Sequence, residues 1–372
     1  MLDWQIGVEI ELIAPPGSSR ETLARKLCPA DGRVERFFHF QSELSQVSAS
    51  PIFDNLTPGF AVYDRQEKLI AKCVDDITLK HNCQHNAPAQ PGWYRLVSDD
   101  RRFLSLAIQQ CDPNASLSTV LQPLADLFGT QLQNRGNMFR VVDSQGDSIA
   151  IATPLPGERE RPCEIVTPIL QDNYWQHLAN LLTTAIELGF TIPQEGATHI
   201  HFDAAALADT RIFCNLVNLF WTYEAILQSL VGTNFNCRRL GSIPQTLWNL
   251  VNNPHFQQLP WLSAVEALKQ LQLSKYCNIN FKNLIYALRD KYTLEVRIFP
   301  VWLEAESIVM AAELIASLLR LAIASPLISP SAILNADLAE TQDFLAYLPL
   351  APSTSQFWLK RAVTNMTEAN CP

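Results

Sequence analysis

The stretch Thr198-His199-Ile200-His201-Phe202-Asp203 constrains this chain most. Polar and apolar residues alternate strictly, which is the period of a half-buried β-strand. Side chains on a strand alternate between faces, so His199, His201 and Asp203 share one side while Ile200 and Phe202 take the other. Successive members of the polar set stand about 6–7 Å apart. Two imidazoles and a carboxylate at that spacing make either a metal-binding or acid/base wall, or the exposed side of a half-polar edge strand.

Three other segments repeat the pattern. Residues 5–13 place Ile6, Val8, Ile10 and Leu12 on one face and Glu9 and Glu11, beside Gly7, on the other. Like charges at that spacing repel unless a cation lies over them, so metal binding is preferred to a solvent-facing edge. Residues 292–300 put Leu294, Val296 and Ile298 toward a core and Thr293, Glu295, Arg297 and Phe299 outward. The short strand 163–168 carries one carboxylate, Glu164. One-sided apolarity fits an antiparallel sheet whose helices cover a single face. The other face then gathers carboxylates whose repulsion a divalent ion would relieve.

Between these strands the pattern reads as follows. Ser18 with Glu21 forms a capping box for a short helix ending near Leu27. Hairpins are expected over 59–73, 93–108 (turning at Ser98-Asp99-Asp100) and 138–153, and a helix over 117–128. A helix spans Asn173 to Gly189, and one long helix runs from Asp209 to Val231 with Asn215, Asn218 and Thr222 as a polar stripe. Residues 242–271 are helical with proline interruptions. The tail from Ser307 packs helices on the sheet and ends in a mobile Pro/Ser-rich stretch. Arg238-Arg239 is either a carboxylate or phosphate contact or a solvated loop pair. His81, Cys83 and His85, with Cys73 upstream, match no trusted zinc spacing and read as a solvated loop.

A net charge of −9 argues against a general nucleic-acid binder, without excluding a bound anion. Ile308 to Ser325, interrupted by Glu313 and Arg320, reads as an amphipathic or buried helix rather than a membrane span. Nine cysteines with no CxxC spacing fit a reducing cytoplasm, and no signal peptide is read at the start.

Taken in order, GVEIEL (7–12), CEIVTP (163–168), THIHFDA (198–204), RR (238–239), YCNINF (276–281) and LEVRIF (294–299) resemble the amidoligase family of ATP-dependent carboxylate–amine ligases. The resemblance covers residues 1–14 and about 137–300. A further family feature, an Asp-Gly-Ser-like turn after a Trp-bearing strand, appears as Val142-Asp143-Ser144 without the Trp.

The resemblance implies an α+β, glutamine synthetase-like fold: a mainly antiparallel sheet, with helices covering one face and the active site on the other. The catalytic domain would comprise 1–30 and 131–330, with 31–130 an inserted β-rich subdomain and 331–372 a helical or irregular tail. ATP and Mg²⁺ would be the cofactors, with Glu9, Glu11, Glu164, His201 and Glu295 as metal ligands. Arg297 and His199 would be catalytic, and Arg297, Asn280, Arg238 and Arg239 would contact nucleotide or substrate. The substrates would be a small carboxylate and an amine, or a peptide, with no nucleic-acid or membrane partner. Two rivals remain: a metal-dependent amidohydrolase that needs no nucleotide, and a noncatalytic peptide- or metabolite-binding module on the same scaffold.

Overall fold

The computed structural model describes residues 2–44, 51–237, 239–287 and 291–369, the side chains of 42–44, 51–53 and 366–369 excepted. The chain forms two compact units. Met1–Ile10, Ile169–Leu182 and Glu195–Pro372 make the first, and Glu11–Pro168 with Thr183–Gln194 the second. The fold is α+β, and its strands pair mainly antiparallel.

In the first unit the strands run Ile279–Asn280, Thr293–Pro300, Ala197–Asp203 and then Ile6–Ile13, which enters the second unit after Ile10. Their alternation is the one expected. Ile6, Val8, Ile200, Phe202, Leu294 and Val296 are buried on one side, where a side chain the size of Phe202 contributes about 2–3 kcal/mol. Helix Glu224–Val231 packs on strand Thr293–Pro300, and helices Thr210–Thr222 and Ala305–Ala324 pack on each other. Ala305–Ala324 is long and apolar enough to cross a membrane, yet Ile308, Ala312, Ile315 and Leu319 are all in the core.

One departure lies in strand Thr293–Pro300. Its pairing with Ala197–Asp203 shifts between Thr198 and Ile200, so two residues, Arg297 and Ile298, stand opposite His199. Beyond that bulge the phase inverts. Phe299, expected beside Glu295 and Arg297, instead pairs with Thr198. It is fully buried and packs on Trp302 with ring centroids 5.8 Å apart.

The long helix expected over 209–231 is two helices, broken at Tyr223, whose φ of −100° and ψ of 12° leave the helical region. Asp209 caps the first as expected, accepting from the Ile212 N–H, and Gly232 ends the second in the left-handed conformation. The polar stripe is buried. Asn215 Nδ2 donates to the carbonyls of Ala322 and Pro326, both at 3.0 Å, and its Oδ1 accepts from the Ile328 N–H at 2.7 Å. It fastens the chain leaving the core helix. The tail is also more ordered than its Pro/Ser content suggests, with helices Leu338–Tyr347 and Pro352–Ala369 and Trp358 fully buried.

In the second unit the strands run Pro162–Val166, Leu69–Val74, Pro51–Tyr63, Tyr94–Ser98, Ser148–Pro154, Met138–Val142 and Gln133–Arg135, with Arg33–Leu44 also on Pro51–Tyr63. Gly59 lets the Phe37 ring lie close over the strand, where a Cβ would stand 2.7 Å from the ring. The hairpins at 59–73 and 138–153 form as expected. Asp64 and Asp143 close their turns by accepting from N–H groups two and four residues on.

The hairpin expected over 93–108 does not form. Tyr94–Ser98 pairs with other strands, and Asp100 caps helix Arg101–Gln110 by accepting from the Arg102 N–H. Asp is favoured at turns and helix caps alike, and here Leu104, Ala107 and Cys111 bury one helical face. The helix expected over 117–128 is confined to Gln122–Leu127, and the first helix, Arg20–Leu27, is capped by Ser19 rather than Ser18.

Candidate metal centres

In the first unit, strand register brings three carriers of chemistry together. Glu9 pairs with His199, Gly7 with His201, and Glu295 with both His201 and Asn280. One donor atom each of Glu9, His199 and Glu295 lies within 4.8 Å of the others. His199 Nδ1 is 3.2 Å from Glu9 Oε2 and 3.8 Å from Glu295 Oε1. His201 stands alongside, its Nε2 3.3 Å from Glu9 Oε1 and its Nδ1 3.1 Å from Thr293 Oγ1. Arg297 Nη1 and Asn280 Nδ2 both donate to Glu295, the latter at 2.7 Å, and Lys291 Nζ lies 3.5 Å from Glu9.

These neighbours set the charge states. Burial would raise the Glu9 carboxyl, but His201, His199 and Lys291 outweigh it and hold it well below the usual range. Burial would raise Glu295 as well, yet Arg297 and His201 hold it down at about 2. Burial, then Arg297, pushes the His199 imidazole down to about 4 against the pull of Glu9 and Glu295. Burial would lower His201, but Glu9 and Glu295 raise it above its ordinary value. At neutral pH the group therefore presents two ionised carboxylates and a neutral His199, the protonation states that metal ligation requires.

The second unit holds another group. Donor atoms of Glu11, Asp76 and Glu164 lie within 4.8 Å of one another. Glu164 is placed by its pairing with Val74 at the end of strand Leu69–Val74, and Asp76 follows two residues later. Asp76 Oδ1 accepts from the Thr78 N–H at 2.8 Å and the Thr78 hydroxyl at 2.6 Å. Glu11 and Asp76 are buried and Glu164 is half-buried. An all-oxygen donor set suits Mg²⁺, whereas the imidazole of the first group favours a softer divalent ion.

A family model described as "putative amidoligase enzyme" matches residues 2–319. The chain belongs to the amidoligase family. A glutamine synthetase of Plasmodium falciparum solved by cryo-EM is similar to this amidoligase at 10% identity and a TM-score of 0.36, over 99% of this chain and 73% of that one. No curated protein matches it.

Within the amidoligase's first unit, Glu9, His199, His201, Asn280, Glu295 and Arg297 come together. Glu11 and Glu164 meet in the second. Arg239 is half-buried in the loop after helix Glu224–Val231, and Arg238 lies outside the described residues. Asn280 uses both ends of its amide internally, since its Oδ1 accepts from the Lys282 N–H at 3.0 Å. It orients Glu295. Asp203 accepts from the Ala205 N–H at 2.7 Å and is in neither donor group. Asp143 is exposed in its turn. Cys83 is buried while His81 and His85 are exposed, and no donor cluster among the described residues includes them.

Asp76 was not among the sequence-predicted ligands. The signal available was the Asp75-Asp76 pair closing the apolar run Leu69–Val74. Asp75 is the structural member of the pair, lying against Arg159 and 3.8 Å from the buried Arg20.

Proposed function

We propose that this amidoligase is an ATP- and Mg²⁺-dependent carboxylate–amine ligase. The observation that carries the reading is the convergence of Glu9, His199 and Glu295, with His201 and Arg297 beside them, from strands far apart in sequence. Glu11, Asp76 and Glu164 fit Mg²⁺, and Glu9, His199 and Glu295 fit a second divalent ion. Bound there, divalent ions would supply positive charge that offsets the charge of phosphate groups.

In this reading the γ-phosphoryl group of ATP passes to a substrate carboxylate oxygen, giving ADP and an acyl phosphate. An amine nitrogen then attacks the acyl carbon, phosphate departs, and the nitrogen loses a proton. Arg297 stabilises charge spread over the transferring phosphoryl oxygens, while Asn280 holds Glu295 in place. Arg238 and Arg239 are assigned to a substrate carboxylate or a phosphate. The substrates are a small carboxylate and an amine, or a peptide. The eight described cysteines are free thiols, which supports a reducing compartment such as the cytoplasm.

The test is ADP release over a panel of amino acids and peptides, with and without Mg²⁺. Release that needs Mg²⁺ and both substrates is expected. Amide hydrolysis without nucleotide would replace this reading with that of a metal-dependent hydrolase, and specific peptide binding without turnover would replace it with the noncatalytic one.

A further inference from the structure

The second unit contains a cavity of about 230 Å³ whose walls include Asn55, Lys80, Arg95 and Arg159, with Ile77 and Leu155 as apolar patches. Three cationic side chains line it, and among the described residues that do so there is no carboxylate. We propose that this cavity binds a small carboxylate-bearing molecule of about amino-acid size.

Asn55 carries the argument. It is fully buried. Arg95 Nη1 donates to its Oδ1 at 3.1 Å, which fixes the amide so that Nδ2 is the remaining donor. That Nδ2 has no acceptor among the described residues. A buried N–H left unmatched costs about 1–3 kcal/mol, so a site that keeps one is adapted to an acceptor brought from outside. Arg159 adds fixed positive charge. It holds the rim by donating to the Asp76 carbonyl at 2.7 Å and to the Leu79 carbonyl, and it shares Asp75 with Arg20. Two guanidinium groups thus divide one carboxylate.

The guanidinium, ammonium and amide donors of Arg95, Arg159, Lys80 and Asn55 favour an anion. The volume is below the roughly 300–1,000 Å³ of pockets for drug-sized ligands, so a whole nucleotide does not fit. Ile77 and Leu155 can pack a short hydrocarbon stem, which favours an organic carboxylate over bare phosphate.

The test is titration calorimetry of the full chain with glutarate, with its uncharged isostere glutaramide and with inorganic phosphate, in the absence of nucleotide and metal. Glutarate is expected to bind saturably at one site and glutaramide not to bind. Asn55→Asp, which replaces the donor by a charge of the ligand's own sign, should weaken glutarate by about tenfold or more. The exposed Lys80, changed to Gln, should weaken it by about threefold. Circular dichroism checks both variants, and should Asn55→Asp unfold, Lys80→Gln carries the test. The inference fails if glutarate does not bind, if glutaramide binds equally, if neither folded variant weakens glutarate, or if phosphate binds more tightly. No nucleotide is present, so failure here leaves the ADP-release test of the ligase reading untouched.

Discussion

Glu9 and Glu11 are separated by one residue, yet they enter donor groups of different chemistry. Glu9 joins an imidazole and a second carboxylate, and the neighbours His201, Arg297 and Lys291 hold both carboxylates ionised. Glu11 joins two more carboxylates, one of them fixed by the Thr78 hydroxyl and N–H. A single strand can therefore supply two sites that differ in the ion they prefer and in how their charge is balanced. Under the proposed ligase reading, the first group would position charge around a reacting phosphoryl group and the second would hold a hard cation.

The largest break in that comparison should come from the first group. Glu9→Gln or Arg297→Ala should lower ADP release by about a hundredfold or more. Thermal melting checks that the fold survives, and a variant with normal turnover removes that residue from the site. In the second group, Asp76→Asn should raise the Mg²⁺ concentration needed for half-maximal ADP release by about tenfold or more, with maximal rate recovered in excess Mg²⁺. If rate is lost and excess metal does not restore it, the division of labour is wrong.

His199→Gln sharpens the contrast in ion preference. Removing the one imidazole should reduce the advantage of Mn²⁺ over Mg²⁺ by about fivefold, read from activity titrations with each ion. An unchanged preference would assign the discrimination elsewhere. The smallest effect is expected at Thr78→Val, which removes the hydroxyl but not the backbone bond to Asp76. Mg²⁺ affinity should fall by about threefold while the Mn²⁺ preference at the first group stays put.

The polar face that carries the first donor group was legible because strand alternation alone puts Glu9, His199, His201 and Glu295 there, although His201 rather than His199 was the expected metal ligand. Glu9, His199 and Glu295 lie opposite apolar residues that are buried as expected. Asp76 was not legible, because it follows its strand in a turn where no period applies. Phe299 was misplaced because nothing in Leu294–Phe299 marks the bulge, which exists only in the pairing with Ala197–Asp203. Asp100 was read as a hairpin turn because the same side chain serves turns and caps, and the choice is made by what Leu104 and Ala107 bury. What Asn215 and Asn218 bind was not legible, because their partners are backbone carbonyls about a hundred residues away, around Ala322–Ile328. In each case local chemistry was readable and the long-range partner was not.

The most direct test is a crystal of the full chain grown with Mn²⁺ and a non-hydrolysable ATP analogue, measured for anomalous scattering. The account predicts a manganese peak among Glu9, His199 and Glu295 and another among Glu11, Asp76 and Glu164. Ordered analogue with no manganese at either group would contradict it.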